Sequence, residues 1–371
     1  MKLYPKDDHL SILCGVKLRQ YDIPYQVNQG NDKTTPQSKD DFSVDVFRPE
    51  DAEGIAQLFR TVYGEGYPFR LFYDPQALTA ANAEGRYYSI VARLSSGKVI
   101  GVAHLYRSAP YASLYEWGVG LVLREYRNVG VNNRIAGFLH NNLVPRTPNI
   151  EELFGEAVCN HTHIQKASFL LGYVETAIEV ALMPAEAYTK EKSATGRVAT
   201  LDGFRCYVPK PHRIFLPAVY ETMLRRIYGR LDDKRDMAVA DGVFPAGKAT
   251  IATLSVFDFT QVARIAVPAS GADFTDCLSD LENKARKQKA IVFQVFLNLT
   301  EPWVGKTVDK LRSQGYFFSG ALPRWFDGDG LLMQKLDCFP DFEGIALLSD
   351  FSKELLAFIQ MDWAQARSLI Y

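Results

Sequence analysis

The sequence predicts an α+β fold in which a mixed, mostly antiparallel sheet is flanked by helices, built as two similar domains in tandem. Three observations carry this. A chain of 371 residues exceeds the size at which a single hydrophobic core keeps growing. Period-2 runs and helical-period runs follow one another in a set order through the first half. Most of that order then recurs in the second half.

The elements read as follows. Residues 28–41 hold turn formers and no large apolar side chain, so they form a linker, and residues 1–41 are set apart as an extension that either docks elsewhere as a strand or is a remnant of an upstream module. The first domain spans 42–208. FSVDVF alternates as a strand from Phe42, and behind Pro49 the residues Ile55, Leu58, Phe59 and Val62 recur at helical spacing. Asp74-Pro75 supplies a cap and a first-turn proline for a second helix, and Gly85 its stop. RYYSIVARL and KVIGVAHLY form a hairpin around Ser95-Ser96-Gly97, and a strand over Ala112–Leu123 follows. After it come a helix over Val131–Leu143, a strand over Leu153–Cys159, a helix over Ile164–Leu171 and the strands VETAIEVALM and RVATLDGFRCYV.

Pro209-Lys210-Pro211 continues neither a helix nor a strand and marks the domain junction. The second domain spans 209–340. Val219, Tyr220, Met223, Leu224 and Ile227 line one helix face; strands ATIATLSVF and TQVARIAV, a helix over Phe274–Lys287, the buried strand AIVFQVFLNL, a further helix and the strands FFSGALPRW and GLLMQKL complete it. In both halves a glycine-tyrosine pair, Gly172-Tyr173 and Gly315-Tyr316, separates a helix from the next strand. Residues 341–371 carry a C-terminal amphipathic helix.

The net charge of -1, with both signs interspersed, gives no general attraction to nucleic acid or an anionic membrane. The five cysteines lack C-x-x-C spacing, so neither a disulfide framework nor a zinc site is expected. No apolar run reaches the ~20 residues of a spanning helix, and with no signal peptide at the N-terminus a cytoplasmic location is expected.

The stretch REYRNVGVNNRIAG carries the functional reading. A strand that ends and a helix that begins with Gly130 in the turn leaves free N–H groups at the positive end of the helix dipole, where phosphate binds well. Arg127 adds a charge. In its place between an antiparallel strand and a helix, VLREYRNVGVNNRI resembles the acetyl-CoA pyrophosphate loop of the GNAT superfamily of N-acetyltransferases. Val122, Tyr126, Arg127, Gly130 and Ile135 match that pattern, whereas Asn132 stands where the family prefers glycine or alanine. Over residues 42–208 the resemblance has this motif behind it; over 212–337 it rests on element order alone. There Gly271 is followed by Asp273 and Asp276, which would repel a diphosphate, so the second domain is expected to be a degenerate one that shapes the acceptor site or the interface.

The resemblance implies transfer of an acetyl group from acetyl-CoA, as co-substrate, to an amine, with no metal. The alternatives are transfer of another acyl group, or a non-catalytic acyl-CoA-binding or interaction module. It implies cofactor contacts from Leu121, Val122 and Leu123 toward pantetheine and thioester, from Arg127, Asn128, Val129, Gly130, Val131 and Asn132 toward the diphosphate, and from Asn160. A free alkylamine has a pKa of about 10.4, so a base is needed near neutrality. Glu116, between Tyr115 and Trp117, is the candidate, the alternative being a charge on the sheet surface. His161 or His163 is a second candidate, the alternative being turn hydrogen bonds. Ser168 occupies the position where the family often has a tyrosine acid. Aromatic residues between the first two helices, around GEGYPFR, lie where the family contacts its acceptor.

Overall fold

A computed structural model describes residues 41–67, 69–185 and 196–369. The extension, apart from Asp41, therefore lies outside the described residues. The first half runs β1 (Phe42–Val46), α1 (Ala52–Tyr63), α2 (Pro75–Ala83), β2 (Tyr87–Leu94), β3 (Val99–Tyr106), β4 (Leu114–Val122), α3 (Val131–Phe138), β5 (Glu152–Val158), α4 (His163–Leu170), β6 (Val174–Met183) and β7 (Val198–Cys206). The chain forms these elements for local reasons. Asp74 Oδ1 accepts from the N–H of Gln76 and Ala77 at 2.9 and 3.0 Å, capping α2 before Pro75 begins it. Ile55, Leu58 and Phe59 of α1 are buried, and Phe59 stacks on Phe72 with ring centroids 4.6 Å apart. Burial of each such side chain stabilises the fold by about 1.5–3 kcal/mol.

The second half runs β8 (His212–Leu216), α5 (Glu221–Tyr228), β9 (Arg235–Val239), β10 (Ile251–Phe257), β11 (Val262–Ala269), α6 (Phe274–Lys287), β12 (Val292–Asn298), α7 (Val304–Arg312), β13 (Phe317–Phe326), β14 (Gly328–Leu336) and α8 (Asp350–Ser368). The sequence reading placed no strands at β8 and β9, which form a separate parallel pair. Each strand has only five residues. Such short runs give little periodicity to read.

The main sheet has twelve strands in the order β1-β2-β3-β4-β5-β7-β6-β13-β14-β12-β11-β10. The sequence β3-β4-β5-β7-β6 thus recurs, reversed across the seam, as β10-β11-β12-β14-β13. Both halves place one parallel pair, β4–β5 and β11–β12, among antiparallel ones. The seam is the antiparallel contact of Ala177 with Gly320, equivalent positions five residues beyond the glycine of each glycine-tyrosine pair. One segment facing its own counterpart is the internal equivalent of an isologous interface. Gln334 of β14 reinforces the seam, accepting from Val180 N–H at 2.7 Å and donating to Val180 C=O at 3.1 Å.

The sheet curls so that side chains of β11 reach those of β5 and β6. Between the halves lies an apolar layer in which Phe154 stacks on Phe204 at 5.4 Å and Phe296 on Trp325 at 5.0 Å. The C-terminal helix α8 packs on both β13 and β6, so it spans the seam. Among the described residues no helix is long and apolar enough to cross a membrane.

Candidate active site

The site is built where β4 leaves β5. The two strands pair only through Leu114–Glu152, Tyr115–Leu153 and Glu116–Phe154. Beyond Glu116 the ladder to β5 stops, while β4 runs six residues further to Val122. A β-bulge accompanies the parting: Val102 faces Leu121 and His104 faces Gly118, so Val119 and Gly120 stand against Ala103 alone. Val119 takes φ 53°, a left-handed conformation that costs a β-branched residue about 1–3 kcal/mol. Strain of that kind persists where the surroundings impose it, and here it turns the β4 backbone at the open edge.

The second half closes the corresponding gap. There β11 and β12 pair at six successive positions, Val262–Val292 through Val267–Leu297. The pairing leaves no such gap, and the N-cap of α6 behind β11 is Asp273, whose carboxylate accepts from the Thr250 hydroxyl and N–H at 2.8 Å. Of the two corresponding parallel pairs, β4–β5 is the one that parts after three positions.

The stretch after β4 forms the other wall. A short 3-10 turn over Arg124–Tyr126, anchored by buried Tyr126, leads to Asn128 at φ 71° and Gly130 at φ 86°, ψ 10°. Gly130 is the N-cap of α3, and no side chain caps this helix. The first-turn N–H groups are therefore left for solvent or a ligand. No atom outside its chain neighbours lies within 4 Å of the position a Gly130 Cβ would take, so the space above it is open. Arg127 is exposed, its Nε 3.3 Å from Val122 C=O, and Val129 is exposed beside it. Leu121, Val122, Leu123 and Val131 are buried, and Asn132 is half-buried in the first turn. Gly101 lets this start dock: a Cβ there would meet Val131 at 2.8 Å and the Leu121 carbonyl at 3.3 Å.

Glu116 sits at the vertex, 1% exposed. That is not the sheet-surface position the alternative required. Its Oε1 accepts from the Tyr106 hydroxyl at 2.6 Å, and a side chain at Gly118 would collide with that hydroxyl at 2.7 Å. Burial pushes the Glu116 carboxyl up to about 7, against the pull of Ser108, Tyr106 and Arg264, with Glu179 adding to the rise. Such a group is part ionised near neutrality. His104, on the neighbouring strand, is pushed down to about 3 by burial and faces the Ser89 hydroxyl at 2.7 Å, so it stays neutral.

Asn160 and His161 stand in the turn between β5 and α4, with His161 edge-on to exposed His163 at 5.2 Å. Because β5 continues four residues from Phe154, opposite Glu116, to Val158 before this turn, the histidines belong to the outer end of the parted strands. Ser168 lies inside α4. Residues that sequence reading missed are Tyr106 and a set of charges on the same sheet face, buried Glu156, Glu179 and Asp202 with half-buried Arg264. The available signal was a charge at a buried position of otherwise apolar strands, such as Glu179 in ETAIEVAL.

No family model matches this chain, and no curated protein matches it by sequence. Among solved structures it is similar to the ribosomal-protein-S5-alanine acetyltransferase of Vibrio fischeri, at 14% identity and TM-score 0.36, covering 44% of this chain and 92% of that one. It is similar to a spermidine/spermine N-acetyltransferase of Vibrio cholerae, at 12% identity and TM-score 0.34, covering 45% and 95%. An N-acetyltransferase of Staphylococcus aureus Mu50 gives 11% identity and TM-score 0.36, covering 45% and 98%. The fold is defined by this chain's own strand order, parted β4–β5 pair and bulge. By those features the fold is α+β, a mixed, mostly antiparallel sheet flanked by helices.

Proposed function

We propose that residues 42–208 bind acetyl-CoA and transfer its acetyl group to an amine, with the second half completing the acceptor side. The observation that carries this reading is the conjunction of an open β4–β5 pair with an uncapped helix start at Gly130, repeated nowhere in the second half. The diphosphate would lie on the N–H groups of Val129 to Asn132 with Arg127 beside it, and the pantetheine along Leu121–Leu123. The cofactor supplies the activated acyl carbon. Glu116 takes a proton from the attacking nitrogen, the N–C bond forms as the C–S bond breaks, and one N–H proton ends on the departing thiol. A carboxyl poised near 7 suits that exchange. On this proposal residues 42–208 form the binding half and residues 209–340 the closed half.

A second reading, acyl-CoA binding without turnover, is favoured by Asn132 and Ser168 at positions where the resemblance would place a small residue and a tyrosine. Thermal titration tests the shared part. Acetyl-CoA is expected to raise the melting temperature, Arg127→Ala to weaken binding by roughly tenfold through one lost charge-assisted contact, and Gly130→Glu to abolish it. An unchanged shift in both variants would remove the loop from the site. Thiol release on an amine panel then separates the two readings.

A further inference from the structure

A cavity of about 150 Å³ opens between the two halves, at the end of the sheet where Glu152 begins β5. The first half walls it with Glu152, its cross-strand partner Cys206, and Phe204; the second half adds Leu231 and the pair Asp232-Asp233 before β9. Phe204 faces Phe154 across the ladder, and Phe154 faces Glu116. The stacked rings of the two phenylalanines, 5.4 Å apart, therefore lie between the cavity and the edge where Glu116 stands. Asp232 is exposed at the rim, so the cavity meets solvent.

Inside it one carboxyl is left over. Glu152 is 2% exposed, and its Oε2 is buried with no hydrogen-bond partner among the described residues. Buried polar side chains are as a rule satisfied, so an orphaned one against a cavity points to a missing partner. The neighbouring charges are already matched. Arg235 donates from Nε to Asp329 at 2.7 Å and stands 2.8 Å from Asp233 Oδ2. His212 Nε2 lies 3.2 Å from Asp329 Oδ1, and against burial Asp329 holds that imidazole above its usual value. Arg324 pairs with Glu151, and Arg205 turns its guanidinium to the Leu171 carbonyl at 2.6 Å and over the Tyr207 ring. Asp233 and Asp329 are thus balanced by Arg235 and His212, which leaves no cation for Glu152. Burial pushes the Glu152 carboxyl up to about 8, with Asp329 and Asp233 adding to the rise and Arg235 and Arg324 opposing it. Cys206 and Tyr228, the other titratable groups beside it, are pushed up by burial and stay uncharged.

We propose that this cavity binds a small organic monocation, with an ammonium head on Glu152 and an aliphatic tail against Val174, Phe204 and Leu231. A cavity of this volume takes a ligand of about six non-hydrogen atoms. Among the described residues no three His, Cys, Asp or Glu side chains are grouped to hold a metal ion, and the apolar walls suit an alkyl chain. The ammonium replaces the proton of Glu152 as the partner of its carboxylate. The proposal does not rest on the acetyltransferase reading.

The test uses the full chain without acetyl-CoA, with pentylamine as ligand and 1-pentanol, of the same size and uncharged, as control. Calorimetry is expected to show saturable binding of pentylamine and none of 1-pentanol. Affinity is expected to rise roughly tenfold from pH 7 to pH 9, since a carboxyl titrating at about 8 becomes ionised over that range while the amine stays charged. At pH 7, two buffers of different ionisation enthalpy are expected to show close to one proton released per amine bound. Glu152→Gln, nearly isosteric with the protonated acid, is expected to weaken binding by roughly tenfold or more and to remove the proton release, whereas Glu116→Gln leaves both. Should Glu152→Gln fail to fold, the pH dependence and proton release of the unaltered protein decide. Absence of pentylamine binding, equal binding of 1-pentanol, affinity indifferent to pH between 7 and 9, or binding that survives Glu152→Gln overturns the proposal.

Discussion

Glu116→Gln is expected to lower amine acetylation by about 10²–10⁴-fold, the usual contribution of a positioned general base, while acetyl-CoA binds as before. The geometry explains both halves of that expectation. Glutamine keeps an oxygen to accept from the Tyr106 hydroxyl, so the vertex of the parted strands stays packed. It removes a proton acceptor whose charge changes near neutrality. The pH dependence follows with a definite sign. A base works only when ionised, so kcat/KM of the unaltered protein rises with pH through about 7, and the variant loses this limb. Stability moves oppositely: because burial raises the folded value from 4.5, ionising Glu116 opposes folding, a penalty absent in acid that grows as pH climbs through about 7. The variant is therefore expected to match or exceed the parent in melting temperature at pH 8. A rate profile for Glu116→Gln that keeps the parent's limb would assign the base elsewhere, with the histidines at the outer end of β5 as the next candidates.

Gly320→Ala is expected to destabilise the chain by about 3 kcal/mol or more, the largest stability effect of any glycine-to-alanine change at the seam. Gly320 has φ 141°, and a Cβ there would stand 2.3 Å from Ala177 Cα and from the Thr176 carbonyl oxygen. Those are backbone atoms, so relief requires the two half-sheets to move apart where Gly320 pairs with Ala177. Gly97→Ala is the control. Gly97 also has positive φ, 84°, but nothing lies within 4 Å, so it should cost about 1 kcal/mol from conformation alone. Chemical denaturation of the two variants measures the difference. If Gly320→Ala costs no more than Gly97→Ala, the seam does not join the halves as described.

Much of this architecture was legible in the sequence. Local signals placed α2 through Asp74-Pro75, the hairpin at Ser95-Ser96-Gly97, and the glycine turn before α3, because each is decided by a few neighbouring residues. The glycine-tyrosine echo anticipated two halves of like order, and the structure adds that these positions flank the seam itself. Glu116 was singled out because a carboxylate in an apolar strand is conspicuous, and the structure buries it at the end of the β4–β5 ladder. What stayed hidden depends on register between distant strands. Nothing in TQVARIAV says that it will pair with β12 for six residues, while β4 lets go of β5 after three. Arg264 carries no local signal of its role, and its meeting with Glu156 joins residues 108 positions apart. The bulge at Val119 was equally invisible, since valine offers no hint of a left-handed backbone.

The central claim is that one half of the chain is open to acyl-CoA and the other, of like topology, is closed. Isothermal titration with acetyl-CoA tests it most directly. The expected result is one molecule bound per chain, with Gly130→Glu abolishing binding and Ala272→Glu, at an exposed position of the corresponding turn of the second half, failing to do so. Two molecules per chain, or binding that survives Gly130→Glu, would contradict it.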